Sequence, residues 1–361
     1  MEKVNLRTIA EKADVSRMTV SLALRGDPQV SKETRDRIQK IARDMGYQPN
    51  PKVSRAMAEL AKSRHIEADE RLAFLTSNAT EDGWRQWQHH VECFEGARQR
   101  ALEYGYVLEP FWLRKPGMTP EKISRMLWSR GIDGVMVAPL GSDYQMNGQR
   151  TFHFDWDRFS VVELAETLDE PRFDCARHDH FDGMLLALFS LERLGYRRIG
   201  LAMERVLDVR TRHRWYSAYL LWKSVRGYTQ ELPVHFYEKF DVTQLQQWMK
   251  ECRLDAVISI NNNLCDELSE AGLNIPEDLG VAVLDRPAGD ERHLSGISQN
   301  TSAIGSAAAD LLVGLVRLEK KGIPDFPNQK ICAGIWIDGN TTRQVGEPLD
   351  DSSLFDRVLN I

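Results

Sequence analysis

From residue 71 onward short apolar runs alternate with helical stretches, and that alternation limits the fold of this 361-residue chain more than any other feature. Residues 72–76, 106–110 and 134–138 read as buried strands, with helices expected over 91–104 and 121–129 between them. The pattern resumes as a helix over 184–194 followed by a strand over 198–202. It continues with 242–251 then 256–259, and with 264–271 then 280–284. Repeated strand–helix units fold as parallel sheets wrapped by helices, and there are enough units here for two sheets. In such α/β lobes ligands bind beyond the carboxyl ends of the strands, between the lobes.

The length exceeds one ordinary domain. No run of about 18 apolar residues could span a bilayer, and residues 1–7 lack the apolar stretch of a signal peptide, so a cytoplasmic, nucleoid-associated protein with no membrane partner is expected. Five scattered cysteines without a C-x-x-C pair read as reduced thiols, with neither disulfide nor metal framework. The net charge of −6 is unevenly spread: residues 1–64 hold 14 Lys/Arg against 8 Asp/Glu, and the remainder 33 against 45. A basic head on an acidic body suits an anionic polymer partner.

That head has its own pattern. Leu6, Ile9, Ala10 and Ala13 share one face of a short helix, Asp14 and Val15 suit a tight turn, and Ser16 can cap a second helix running to about Leu24. After the break at Gly26-Asp27-Pro28, Ser31 can cap a third helix carrying Ile38, Ile41, Ala42 and Met45 at helical spacing, stopped by Gly46 and Pro49. Two short helices around a tight turn are a helix-turn-helix, whose second helix enters the major groove of double-stranded DNA. The hydroxyls of Ser16, Thr19 and Ser21 suit phosphate oxygens, which set register without specifying sequence.

The run Val4 to Arg25, with Val30-Ser-Lys-Glu-Thr-Arg35 and Met45-Gly-Tyr-Gln-Pro-Asn50, resembles the headpiece of the lactose-repressor/galactose-repressor (LacI/GalR) family of bacterial transcription regulators. The resemblance puts Arg17, Met18 and Leu22 at base-reading positions and implies DNA contacts for Leu6, Arg25, Asn50, Val53 and Ser54. Leu22 stands where the family often has arginine and cannot hydrogen-bond a guanine, so the operator should differ at that base. Asp14 stands where glycine is frequent. Residues 51–62 resemble the family's hinge helix, which forms when docked and inserts an apolar wedge into the minor groove. Strict register puts Ala56 at the wedge position, and Met57 beside it is the residue expected to act as the wedge.

Farther along, Gly131-Ile-Asp-Gly-Val135, Leu194-Gly-Tyr-Arg-Arg-Ile199, Ile275-Pro-Glu-Asp-Leu-Gly280 and Ser298-Gln-Asn300 resemble the family's sensor, itself like periplasmic sugar-binding proteins. The implied layout is a headpiece over 1–48, a hinge over 49–70, and a two-lobed effector-binding and dimerisation domain over 71–361. Lobe one covers about 71–178 and 299–331, lobe two about 179–298 and 332–361. By resemblance Ser77, Asn78, Asn261, Asp285 and Gln299 contact the effector, and each can hydrogen-bond the hydroxyls of a sugar or sugar derivative. Arg212, Arg214 and Trp215 fall near the family's ligand-binding arginine, and Trp84 and Trp87 follow the first strand where an aromatic contact is usual.

Three classes of function are thus compared: a ligand-responsive regulator, an exported solute-binding protein and a sugar- or nucleoside-modifying enzyme. The head argues against the second. No nucleophile elbow, phosphate loop or dinucleotide fingerprint supports the third, and no catalytic residue or cofactor is expected. His178 to Asp182 reads as a polar crossover leading into a helix at Gly183 rather than a metal site, and His89-His90 as a loop pair. The expected protein is a repressor that binds a near-palindromic operator as a homodimer, its affinity set by a small effector.

Overall fold

The computed structural model describes residues 6–16, 19–20, 23, 30–45, 70–141, 143–146, 148–228 and 232–348. Near the start, α1 (Leu6–Ala13) ends where Asp14 takes a left-handed φ of 50°, and Val15 N–H returns to the Ala10 carbonyl at 3.1 Å. Asp tolerates that conformation because its short side chain can bond locally. Ser16 Oγ then accepts from Thr19 N–H at 3.0 Å, and Ser31 Oγ from Thr34 N–H at 3.3 Å at the start of α2 (Lys32–Asp44). Each cap satisfies an otherwise orphaned donor. Ile9, Ala10, Ala13, Val20, Ala23, Val30, Ile38 and Ala42 form the small core of this headpiece. Arg37 and Gln39 of α2 donate to the carbonyls of Ala13 and Ala23, tying the third helix to the first two.

The body holds two six-stranded sheets. The first comprises β1 (Glu70–Thr76), β2 (Tyr106–Trp112), β3 (Gly134–Val137), β4 (Ser160–Leu164), β5 (Asp174–His178) and β11 (Gln329–Cys332), all parallel, in the order β11-β5-β4-β3-β1-β2. Around it lie α3 (Gln88–Glu103), α4 (Pro120–Ser129) and α10 (Thr301–Arg317). The second sheet comprises β6 (Ile199–Glu204), β7 (His235–Tyr237), β8 (Ala256–Ser259), β9 (Gly280–Val283), β10 (Ser295–Ser298) and β12 (Ile335–Ile337), in the order β12-β10-β9-β8-β6-β7. Only β12 among them runs antiparallel to its neighbour. The helices of this lobe are α5 (His180–Arg193), α6 (Arg205–Arg210), α7 (Arg214–Arg226), α8 (Val242–Cys252) and α9 (Leu264–Glu270).

Strands such as Gly134–Val137 and Ala256–Ser259 are buried at every residue, as parallel strands covered on both faces must be. Pro110 is tolerated because β2 is an edge strand. The chain passes between the sheets three times, after β5, after β10 and between β11 and β12. These crossings pack on one another: Asp179 N–H donates to the Cys332 carbonyl at 2.9 Å, and a Cβ on Gly334 would lie 2.7 Å from the His178 ring and 2.8 Å from Ile297.

Two expectations need correcting. The crossover after β5 is shorter than expected and its helix does not wait for Gly183: His178 ends β5, and α5 already opens at His180, capped by Asp179 Oδ1 accepting from Asp182 N–H. Nor are His89 and His90 a loop pair, since they form the first turn of α3.

Candidate functional site

A pocket with about 420 Å³ of space free of atoms, partly open to solvent, lies where the crossings meet the carboxyl ends of the first sheet. Its wall combines His89, His90 and Cys93 from α3, Leu164 at the end of β4 with Ala165 after it, Arg177 and His178 from β5, His180 from α5, and Gln299, Thr301 and Ile304 from the second crossing and α10. Four imidazoles thus line one space. The His89 and His90 rings lie 4.4 Å apart, and those of His178 and His180 5.2 Å apart. Burial above all holds them neutral: His89 and His178 are lowered to about 4, His90 to about 3, and His180 well below the ordinary range. Both ring nitrogens of His90 and Nδ1 of His180 are buried without a hydrogen-bond partner. A neutral imidazole offers one donor and one acceptor, the complement of a hydroxyl. Such atoms are costly to leave unmatched, although the surface that the pocket presents is mainly apolar.

Beside this wall is an ion-pair knot. Glu166, buried in a loop where it and Ala165 both take left-handed φ, meets Arg172 at 3.2 Å, Arg177 at 3.5 Å, Arg212 at 3.1 Å and Arg214 at 2.6 Å. Arg212 and Arg214 belong to the second lobe, so the knot joins the lobes across the seam. Arg212 also donates to the Leu168 carbonyl at 3.2 Å.

Glu163, a few residues away and 2% exposed, is pushed up to about 8, chiefly by burial, while its Oε1 accepts from Leu168 N–H. Its folded pKa lies above the unfolded value, so the folded state binds the extra proton between roughly pH 4.5 and 8. Stability from this group is therefore present at low pH and lost as pH rises through the folded value. Glu163→Gln should flatten the thermal stability profile between pH 5 and 9; a slope equal to wild type would mean that Glu163 is already ionised at pH 5.

Of the sequence-expected contacts, Gln299 lines the pocket, its Nε2 bonded to the Leu284 carbonyl. Arg212 and Arg214 sit in the knot. Asp285 lies 4.0 Å from His89 Nδ1 across the seam and is raised to about 6 by burial, opposed by Arg210. Asn261 turns to Glu267 and to Asn263 N–H. Ser77 is buried at the end of β1 with Oγ unpartnered, and the Asn78 carbonyl accepts from the Trp112 indole. Trp87 is 57% exposed.

Two aromatic expectations are corrected. Trp84 is core, its ring 5.0 Å edge-on from Phe94 and 5.9 Å from Phe74, so no face is left for a ligand. Trp215 is also buried, one layer behind the pocket, where it supports His180 edge-on at 4.8 Å. The sequence reading missed His89, His90, His178, His180, Glu166 and Arg210. The histidine pairs lacked metal spacing, and nothing in their polar surroundings in the sequence linked one pair to the other. Among the described residues no group of His, Cys, Asp and Glu could hold a metal ion, and no helix is long and apolar enough to cross a membrane.

In the headpiece Thr19 and the exposed Ser16 lie together at the start of the second helix, their hydroxyls 2.8 Å apart. Arg17, Met18, Ser21, Leu22, Arg25, Asn50, Val53, Ser54, Ala56 and Met57 lie outside the described residues, as does the side chain of Leu6.

Residues 5–50 match the family described as bacterial regulatory proteins, lacI family, and residues 190–338 match the periplasmic binding protein-like domain. The HTH-type transcriptional regulator GntR of Escherichia coli K12 is 26% identical over 87% of this chain and 92% of its own length. Among solved structures, the transcriptional regulator CelR in complex with cellobiose aligns with a TM-score of 0.57 at 20% identity, over 94% of this chain and 99% of that one. The lac repressor dimer bound to operator and an anti-inducer aligns with a TM-score of 0.52 at 19% identity, over 95% and 100%.

Proposed function

Because the chain belongs to the lacI family of bacterial regulatory proteins, we propose that it is a repressor that binds a near-palindromic operator as a homodimer, with affinity set by a sugar or sugar derivative. The observation that carries this is the union, in one chain, of a helix-turn-helix headpiece with a two-lobed body whose pocket sits at the interlobe crossings. The cellobiose held by CelR and the operator held by the lac repressor dimer supply the analogy for each end.

The mechanism is linkage. Pocket and knot take groups from both lobes, so a ligand bound there favours one arrangement of the lobes over another. The lobes' arrangement sets whether the two hinges, residues 49–70 of each protomer, come together on DNA. By reciprocity the operator then changes effector affinity by the factor by which effector changes operator affinity. A protein acting in this way works in the cytoplasm, at the nucleoid, and needs no catalytic group.

Purified protein mixed with sheared genomic DNA of the source should retain fragments sharing a near-palindrome at physiological salt, and a matching sugar should change the retention. Retention without a shared motif would reduce the head to a charge-driven binder. Within the enriched site, Arg17→Ala should relax preference at one base pair per half-site by about 1–3 kcal/mol. Unchanged base preference would move the reading position off Arg17.

A further inference from the structure

We propose that the effector is a sugar bearing an apolar group, either a deoxy methyl or an aglycone, and that this group seats in the pocket while the hydroxyls stay at the seam. The proposal rests on the sugar reading above and narrows it to one chemical class. Its basis is what the wall leaves for a ligand to touch. Cys93, Pro139, Leu164, Ala165 and Ile304 bring carbon and sulfur to the space from α3, the loop after β3, the end of β4 and α10. All but Ala165 are buried. Burial pushes the Cys93 thiol up to about 12, so it stays a small neutral hydrophobe.

The polar residues of the wall are turned to other partners. Arg177 donates from Nη1 to the His178 carbonyl at 2.9 Å and from Nε and Nη2 to Gln329 Oε1, and it faces Glu166. Gln299 Nε2 is held by the Leu284 carbonyl at 2.9 Å, and His178 Nδ1 by the Cys332 carbonyl at 3.2 Å. His178 Nε2 points at α5, where a Cβ on Gly183 would stand 2.6 Å from it. Both nitrogens of His90 are enclosed, so this ring meets the space with carbon. A hydroxyl driven into such a pocket loses water and gains no partner, whereas a methyl or a ring gains by leaving water.

At the seam the balance reverses. Half-buried His89 stands in the pocket wall 4.0 Å from Asp285 of the second lobe. The exposed Trp87 ring lies 6.1 Å from that of His89. A carboxylate accepts from hydroxyls, and an aromatic face beside it suits the C–H face of a sugar ring. A ligand that fits both parts has hydroxyls at one end and hydrocarbon at the other. An apolar lining with a few polar groups fixing orientation is the usual build of a small-molecule site.

The test uses the full-length protein in calorimetric titrations of matched pairs. These are D-galactose with D-fucose, L-mannose with L-rhamnose, and D-glucose with phenyl β-D-glucoside, beside phenol alone. Fucose and rhamnose lack a single oxygen of their parents, whereas the glucoside adds a ring, so the arms separate the two sources of the apolar group. In at least one pair the apolar member should bind about ten-fold or more tighter than its parent, with a more negative heat-capacity change. Ile304→Thr and Cys93→Ser each put a hydroxyl in the wall with little change of volume. Each should cut that preference several-fold, with the melting temperature reporting that the variant is folded. Parents binding as tightly as their apolar partners, or a preference untouched by both substitutions, would overturn the apolar seat and leave the sugar reading standing. Phenol binding as tightly as its glucoside would keep the apolar seat and overturn the sugar. Binding by no probe would overturn both.

Discussion

Gly305→Ala should lower the melting temperature of the unliganded protein by about 6–12 °C, the equivalent of about 3 kcal/mol for a unit of this size. Helices α3 and α10 touch backbone to backbone. A Cβ on Gly305 would stand 1.9 Å from the Cys93 carbonyl oxygen, and one on Gly96 would stand 2.1 Å from that of Ser302. Neither oxygen belongs to a side chain that could turn away, so the helices must separate. The separation breaks the Ser306 hydroxyl bond to the Gly96 carbonyl and loosens the Ala97, Ala101, Ala308 and Ala309 packing between them. Because one displacement relieves both overlaps, Gly96→Ala combined with Gly305→Ala should cost less than the two singly. The effect reaches the site, since α3 carries His89, His90 and Cys93 and α10 carries Thr301 and Ile304. Gly314→Ala on the same helix meets nothing within 4 Å and should instead stabilise by about 0.5–1 kcal/mol. A Gly305→Ala protein melting like wild type would show that the helices are not in backbone contact.

What was legible in the sequence was local. α1 has the bounds that its apolar spacing implies, Ser16 and Ser31 cap as their position before apolar-periodic runs suggests, and β8 falls on residues 256–259. What was not legible depended on partners far along the chain. Asp174–His178 looks too polar for a central strand, yet all five residues are buried. Asp174 accepts from Asn328 N–H, Arg177 donates to Gln329, and His178 bonds the Cys332 carbonyl, each partner about 150 residues away. No window of sequence shows that β11 will lie alongside. The same holds for the pocket: His89-His90 and His178-x-His180 are unremarkable apart and become one wall only when the crossings bring β5, α3 and α5 together. The tryptophans erred the other way. Their positions beside family contact sites suggested stacking, but a large apolar ring near a sheet edge is worth more in the core, where Trp84 and Trp215 lie.

Glu166→Ala should be the most damaging single change at the seam, costing about 3–5 kcal/mol because it strands buried cations rather than merely removing a bond. Glu166 is 7% exposed and Arg177 8%, so neither is hydrated, and Arg212 and Arg214 are 27% and 20% exposed. Arg172, half exposed, contributes little. Burial and the facing Arg214 already depress the basicity of Arg177, and deleting the one shared carboxylate leaves that repulsion unopposed. Since Arg212 and Arg214 come from the second lobe, the loss should appear as an altered lobe arrangement in small-angle scattering as well as a lower melting temperature. Glu166→Gln, which keeps an acceptor for Gln329 and the arginines but not the charge, should fall between. Raising the chloride concentration should recover part of the loss by screening. Sulfate at equal ionic strength should recover more, because it can sit among the freed guanidiniums in the place of the carboxylate. Equal recovery by the two salts would mean that screening alone is at work and that the seam offers no anion position. A Glu166→Ala protein as stable as wild type would show that the arginines are solvated and that the knot does not join the lobes.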